Sequence, residues 1–282
     1  MKFLAAAAAA LFAMVQADRP SPEYLAKFGV DTATSFQSED MKLTEKQQGC
    51  FFVKGAPNCT STQRTGFDKS ISQWSQYYNP RAQKFMIPML VNTKSYPKSY
   101  RKTAWKNFLW ARNHFAQHTN IDLQFIDDYE KEIFFNKGFL APFYGGSCWS
   151  YVGDVSETYG WTKTGQQMDI GWCHQVPGSI VHETMHALGF VHEHSRPDRD
   201  NYLNVNSRDT VNCGKYIPGQ LDLSGLDYDF GSIMHYGEGA CGISVKRKYR
   251  KYRIGQREQL SENDKKGIND LYAKTGPKFA RD

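Results

Sequence analysis

Three histidines and a glutamate stand at fixed offsets in the segment His182-Glu183-Thr184-Met185-His186-Ala187-Leu188-Gly189-Phe190-Val191-His192. Residues four apart on a helix project from one face, one turn apart, so the imidazoles of His182 and His186 can share a metal ion. Glu183 points toward the edge of that face, where a carboxylate can hold a metal-bound water and take its proton without displacing it. Gly189 lies three residues past His186, where a helix that must reverse needs a residue tolerant of positive φ, and the turn brings back His192. Three neutral imidazoles leave one position open, the arrangement of a catalytic zinc site, whereas a structural site would be closed by a fourth protein ligand. This combination arises by chance on the order of 10⁻⁵ times per chain of such length, so metal binding is expected rather than a row of exposed polar side chains.

Such a helix must rest on other elements. The run at 84–91 (KFMIPMLV) reads as a strand, and its interior Pro88 argues for the edge of a sheet. A helix is predicted from about Tyr100 to Gln117, with Trp105, Leu109, Trp110 and Phe115 close to helical spacing on the face that packs on the sheet. Further strands are predicted at 121–126, 132–135, 150–152 and 168–172. A last helix over 261–272 opens on Ser261 and Asp264, which approximate a capping box, and gathers Ile268, Leu271 and Tyr272 on one face.

At 282 residues the chain can hold one or two domains. Met1 and Lys2 precede an apolar run from Phe3 to Val15, read as a signal peptide over residues 1–17; it is shorter than the roughly 20 residues of a membrane-spanning helix, and no later stretch qualifies. The polar segment 18–48 suits a propeptide, with the mature start between 43 and 75. Export places Cys50, Cys59, Cys148, Cys173, Cys213 and Cys241 in an oxidising compartment, where an even count suggests bridges whose pairing the spacing leaves open. Asn58-Cys59-Thr60 fits a glycosylation acceptor. Residues 246–253 (KRKYRKYR) carry six basic residues, the whole excess of 35 basic over 29 acidic groups. The remainder is balanced, unlike a nucleic-acid binder, and the run itself is a candidate polyanion contact.

The extended histidine motif resembles that of the metzincins, and Glu193, just after the third histidine, is similar to the astacin family in particular. The likeness continues through Phe190 and HEHSRPDRDNY (192–202), GGSCWSYVG (145–153), SIMHYG (232–237) and IGQREQLSENDKKGINDLY (254–272). It implies an α+β metzincin zinc-protease fold: a catalytic domain over 49–282, split at about 192 into an N-terminal subdomain with a mixed sheet and long helices and an irregular C-terminal subdomain with one helix. The substrate cleft would run between them.

The implied activity is that of a secreted zinc-dependent endopeptidase acting on proteins or peptides. The resemblance gives His182, His186 and His192 one Zn2+ ion per subunit, makes Glu183 the general base on a zinc-activated water, and sets Met234 beneath the metal. Tyr236 would turn to the oxyanion, and Glu193 would pair with the mature N-terminus. It also implies Cys148 with Cys173, leaving Cys50 with Cys59 and Cys213 with Cys241. Phe36-Gln37-Ser38-Glu39-Asp40 resembles a propeptide motif whose aspartate binds zinc, which would make Asp40 a latency ligand. Arg250 or Arg253 is expected to lean into the cleft and select an acidic residue after the scissile bond. The sequence departs from the family at Asn120, which stands where a bridge cysteine is usual, and no cysteine follows Cys241. A catalytically silent binding protein is the competing class, and the intact Glu183, Tyr236 and histidines weigh against it.

Overall fold

The computed structural model describes residues 41–42, 67–68, 72–208, 213–216, 218, 221–222 and 226–273. Seven strands form one mixed sheet: Met41–Lys42 (β1), Tyr78–Asn79 (β2), Lys84–Met89 (β3), Ile121–Phe125 (β4), Leu140–Phe143 (β5), Cys148–Tyr151 (β6) and Gln166–Ile170 (β7). The order across it is β1-β6-β7-β5-β3-β4, with β2 beside the start of β3. Strands β3, β4, β5 and β7 run parallel, and β6 turns back antiparallel on β7.

Two strand expectations are corrected. β3 is central, pairing with β4 along its length, so Pro88 does not mark an edge. Backbone groups alternate sides along a strand: Phe85 donates to Asn120 O on the β4 side and Leu90 to Leu140 O on the β5 side. Pro88 therefore directs its missing N–H away from β4, between the reach of β2 at Phe85 and that of β5 at Met89. The segment 132–135 is not a strand but part of a 3-10 helix, Glu130–Phe134. Asp127 Oδ1 accepts from the amides of Tyr129 and Glu130, which starts a helical turn, and Ile133 is left 75% exposed. The strand in this region is β5.

Helix α1 (Arg101–His118) has the expected span, yet its buried face is Ala104, Asn107, Phe108, Ala111, His114 and Phe115; Trp105 and Trp110 are exposed. Ala104 and Ala111, seven residues apart, lie on one face of the helix, where their small side chains allow closer packing than larger rings would. Asn107 Nδ2 donates to His174 O at 2.8 Å, tying α1 to the turn before the helix that carries the histidine motif.

Beyond His192 the described chain is mostly loops and 3-10 turns, with short antiparallel pairs of Leu203–Asn204 with Ser244–Val245 and of Leu221–Asp222 with Phe67–Asp68, and a last helix α3 (Glu262–Leu271). The α3 capping box is formed by Ser261 and Asp264, and Ile268, Leu271 and Tyr272 are buried. Disulfides join Cys148 to Cys173 and Cys213 to Cys241; Cys50 and Cys59 lie outside the described residues. Asn120, in place of a bridge cysteine, donates from its backbone to Asn269 Oδ1 at 2.8 Å and from its amide to Tyr272 O. The end of α1 and the end of α3 are thus joined by hydrogen bonds. Among the described residues no helix is long and apolar enough to cross a membrane.

The two helices also meet at His114, whose Nε2 accepts the Leu260 amide at 3.0 Å, just before the α3 cap. That bond requires an unprotonated ring. Burial first, then the neighbouring His118 and Lys265, push the His114 pKa down to about 4, and Trp110 stacks on the ring. With the unfolded value near 6.5, the unfolded chain binds the extra proton between about pH 6.5 and 4, so stability falls as pH drops through that window. The loss should be on the order of 2 kcal/mol, read as a decrease in urea midpoint between pH 7 and pH 4.5. His114→Gln, which keeps an acceptor that does not titrate, should flatten that part of the profile; an unchanged slope would remove His114 as its source.

Candidate metal centre

The motif helix α2 (Pro177–Ala187) begins with Pro177, whose fixed φ and missing N–H suit a first helical turn. Every residue from Gly178 to Ala187 is buried, so this is a core helix rather than an amphipathic one. Gly178 is required by packing: a Cβ there would lie 1.8 Å from Arg257 O, where the segment leading to α3 crosses the helix. The expected reversal occurs at Gly189, with φ 106°, and the Phe190 amide returns to Met185 O at 3.0 Å. His192 then rejoins the other two histidines.

One nitrogen from each of His182, His186 and His192 falls within 4.8 Å of the others, and all three side chains are buried. His182 Nδ1 lies 2.8 Å from Ile233 O and His186 Nδ1 2.8 Å from Phe190 O. A carbonyl can only accept, so both Nδ1 atoms carry the proton and both Nε2 atoms present a lone pair. His186 Nε2 stands 3.1 Å from His192 Nε2. Two nitrogens on a tetrahedral zinc with bonds of about 2.0–2.1 Å would be roughly 3.3 Å apart. The donor set, its fixed tautomers and its spacing fit a zinc ion.

Glu183 is 1% exposed, and its Oε1 lies 3.2 Å from Cys148 Sγ, a disulfide sulfur without a proton to donate. The Cys148–Cys173 bridge ties the start of strand β6, beside this carboxylate, to the turn that precedes α2. Met234 is 2% exposed and its carbonyl accepts the Glu193 amide at 3.0 Å. Tyr236 is fully buried; its ring lies 4.4 Å from that of His192 and stacks at 4.0 Å on His194. Glu193 Oε1 accepts from Arg196 Nη1 at 3.2 Å and from the Asp229 amide at 2.8 Å. Burial pushes its carboxyl up to about 8, against the pull of Arg196 and that amide. It lines a small, solvent-open hollow together with Asp227, Asp229, Asp264 and Met234.

Arg250 and Arg253 are exposed on the turn after a 3-10 helix, Arg247–Tyr249, and neither forms an ion pair among the described residues. Asp40 lies outside the described residues. Sequence reasoning missed the support beneath the histidines. Asp264, identified only as a helix cap, accepts from Ser232 Oγ at 2.7 Å and the Ile233 amide at 2.8 Å. It thereby holds the turn whose Ile233 carbonyl orients His182. His194 and Gly178 carried no spacing signal at all.

The model of the peptidase family Astacin matches residues 92–273. Blastula protease 10 of Paracentrotus lividus is 33% identical over 244 residues, 83% of this chain and 38% of the relative. Protein SpAN of Strongylocentrotus purpuratus is 30% identical over 244 residues, 83% of this chain and 36% of its own length. This chain therefore spans less than two fifths of those relatives. Among solved structures, high choriolytic enzyme 1, a hatching enzyme zinc-protease from Oryzias latipes, superposes with a TM-score of 0.54 at 24% identity, covering 76% of this chain and 98% of that one. That likeness concerns the fold alone.

Proposed function

This chain belongs to the astacin family of peptidases, and on that premise we propose that it is a secreted zinc-dependent endopeptidase with Glu183 as its general base. The observation that carries the reading is the convergence of three buried imidazoles, two with their protons committed to main-chain carbonyls, beside the buried Glu183 carboxylate. His182, His186 and His192 would hold the ion. When bound, zinc supplies a Lewis acid that polarises a carbonyl and acidifies water.

The protein's own residues do the rest. Glu183 takes a proton from the attacking water, whose oxygen bonds to the scissile carbonyl carbon, and passes it to the leaving nitrogen as the C–N bond breaks. Tyr236, packed against His192, is the candidate donor to the oxyanion, an interaction that gains strength where water is excluded. Met234 seats the site from below. The N-terminal apolar run and the two disulfides support export.

Chain recovered from the medium of expressing cells and freed of its N-terminal segment should hydrolyse a mixed-peptide library. Chelation should abolish turnover, and stoichiometric zinc should restore it. Undiminished hydrolysis by metal-stripped protein would end the zinc reading, and retention of the chain inside the cell would end the proposal of export.

A further inference from the structure

We propose that residues 246–253 form a preset cationic ridge that binds a sulfated polysaccharide. Such binding needs neither zinc nor catalysis and so stands apart from the peptidase reading; only the choice of a polysaccharide among polyanions rests on export.

The segment is a tandem repeat. Lys246 is followed by Arg247-Lys248-Tyr249, then Arg250-Lys251-Tyr252, then Arg253. Its backbone turns with the same period of three: the Tyr249 amide donates to Lys246 O at 2.7 Å, Arg250 to Arg247 O at 3.5 Å and Tyr252 to Tyr249 O at 2.9 Å. In turns of the 3-10 kind, residues three apart eclipse one another at about 6 Å along the axis. Tyrosines therefore recur on one side, and arginines and lysines recur on the others.

The tyrosine side is fastened to the protein. Tyr252 stacks on the buried Phe230 with ring centroids at 4.7 Å and planes 2° apart, and Tyr249 packs on Phe230 at 5.3 Å and on Tyr202 at 5.4 Å. Lys246 adds two bonds at the start, from its amide to Tyr202 O at 3.0 Å and from its Nζ to Asp200 O. The cations thus stand on a fixed support, and a ligand that meets them does not have to order the backbone first.

The cationic side is left without counter-charge. Arg247, Lys248, Arg250, Lys251 and Arg253 are exposed, and none of them is in an ion pair among the described residues. Lys248 and Lys251 lie over the rings of Tyr249 and Tyr252, at 5.1 and 4.9 Å, which leaves their charge in place. Asp200, whose carbonyl Lys246 reaches, directs its carboxylate to Arg199 at 3.4 Å and to Lys215. Like charges held this close repel one another, and an anion with its charges in a row relieves them together.

The arginines present planar forks that match the paired oxygens of a sulfate or phosphate. Single-stranded nucleic acid would need open ring faces to stack on, and Phe230 and the two lysines cover those of Tyr249 and Tyr252. A membrane surface would need an apolar side chain to bury, and beyond these tyrosines the segment has none. Export then favours sulfate on an extracellular polymer over the phosphate of duplex DNA.

The test measures the Kd of the full chain for heparin over a range of salt, with unsulfated hyaluronan, duplex DNA and phosphatidylserine vesicles alongside. Wild type should bind heparin best, and its affinity should fall steeply as salt rises. Arg247→Ala, Arg250→Ala and Arg253→Ala combined should weaken heparin binding about 10- to 100-fold and lower the slope of log Kd against log salt by about three. A control that loses as many exposed charges elsewhere, Lys98→Ala with Lys102→Ala and Lys106→Ala, should bind within about twofold of wild type. Tyr252→Ala removes no charge but frees the ridge from Phe230, and should cost about threefold to tenfold. All of these positions are exposed, so the variants should fold. Equal losses in the two triple variants would reduce binding to net charge and overturn the ridge. No loss in Tyr252→Ala would overturn its preset form, and tighter binding of hyaluronan, DNA or vesicles than of heparin would overturn the sulfated polysaccharide. A chain that binds heparin in this way yet hydrolyses nothing would uphold the ridge and end the peptidase reading alone.

Discussion

Glu183→Gln is expected to bind zinc as wild type does and to lose hydrolysis by about 10²- to 10⁴-fold, the usual contribution of a positioned proton acceptor. The replacement has the same shape, and a 1% exposed side chain leaves little space for any other. The three imidazoles are untouched. His182 and His186 remain oriented by Ile233 O and Phe190 O, so the ligand set survives. What disappears is basicity, because an amide oxygen accepts a hydrogen bond but does not take the proton. The nearest sulfur, Cys148 Sγ, is tied up in a disulfide and offers no substitute. Metal content by mass spectrometry and kcat on one peptide decide the matter: a zinc-loaded variant with near-normal turnover would show that another group is the base.

Asp264→Ala should produce the largest loss of stability, about 3–5 kcal/mol, at a residue that touches no proposed ligand. Its carboxylate accepts from Ser232 Oγ, the Ile233 amide and the Ser261 amide, at 2.7, 2.8 and 2.9 Å. Each buried donor left without an acceptor costs about 1–3 kcal/mol. Arg257, 2% exposed, also loses its compensating charge: burial already pushes its guanidinium down to about 9, and Asp264 is what opposes that. The consequence reaches the metal centre through Ile233, whose amide Asp264 holds and whose carbonyl orients His182. Such supporting partners contribute about 10- to 100-fold to metal affinity. Urea midpoints and zinc competition against a chelator should both shift, and an unchanged zinc affinity in a folded variant would break the proposed link from α3 to the metal.

The legible part of the site was the part governed by local geometry. His182 and His186 at helical spacing, the positive φ of Gly189 and the Ser261 cap each follow from the backbone within a few residues. The illegible part was set by contacts distant in sequence. Gly178 is fixed by Arg257, Glu183 sits beside Cys148, and Asp264 reaches back 31 residues to Ile233. Periodicity also placed the face of α1 only in part: Phe115 is buried as expected, but the buried stripe continues through Ala104, Phe108 and Ala111 rather than through Trp105 and Trp110. Pro88 shows the same limit: a missing donor forbids a ladder bond only where a partner stands opposite, and neighbour strands of unequal length leave a gap for it.

The joint made by Asn120 has a consequence for how the molecule comes apart. Its contacts with Asn269 and Tyr272 break and re-form with thermal fluctuation, while a sulfur bridge at the same place would need a thiol to open it. The seam can therefore open and close by itself at these bonds, a local event below the cost of global unfolding, while the buried Ile268, Leu271 and Tyr272 keep the tail helix in place. A reducing milieu leaves this seam as strong as before, and mild denaturant is what loosens it.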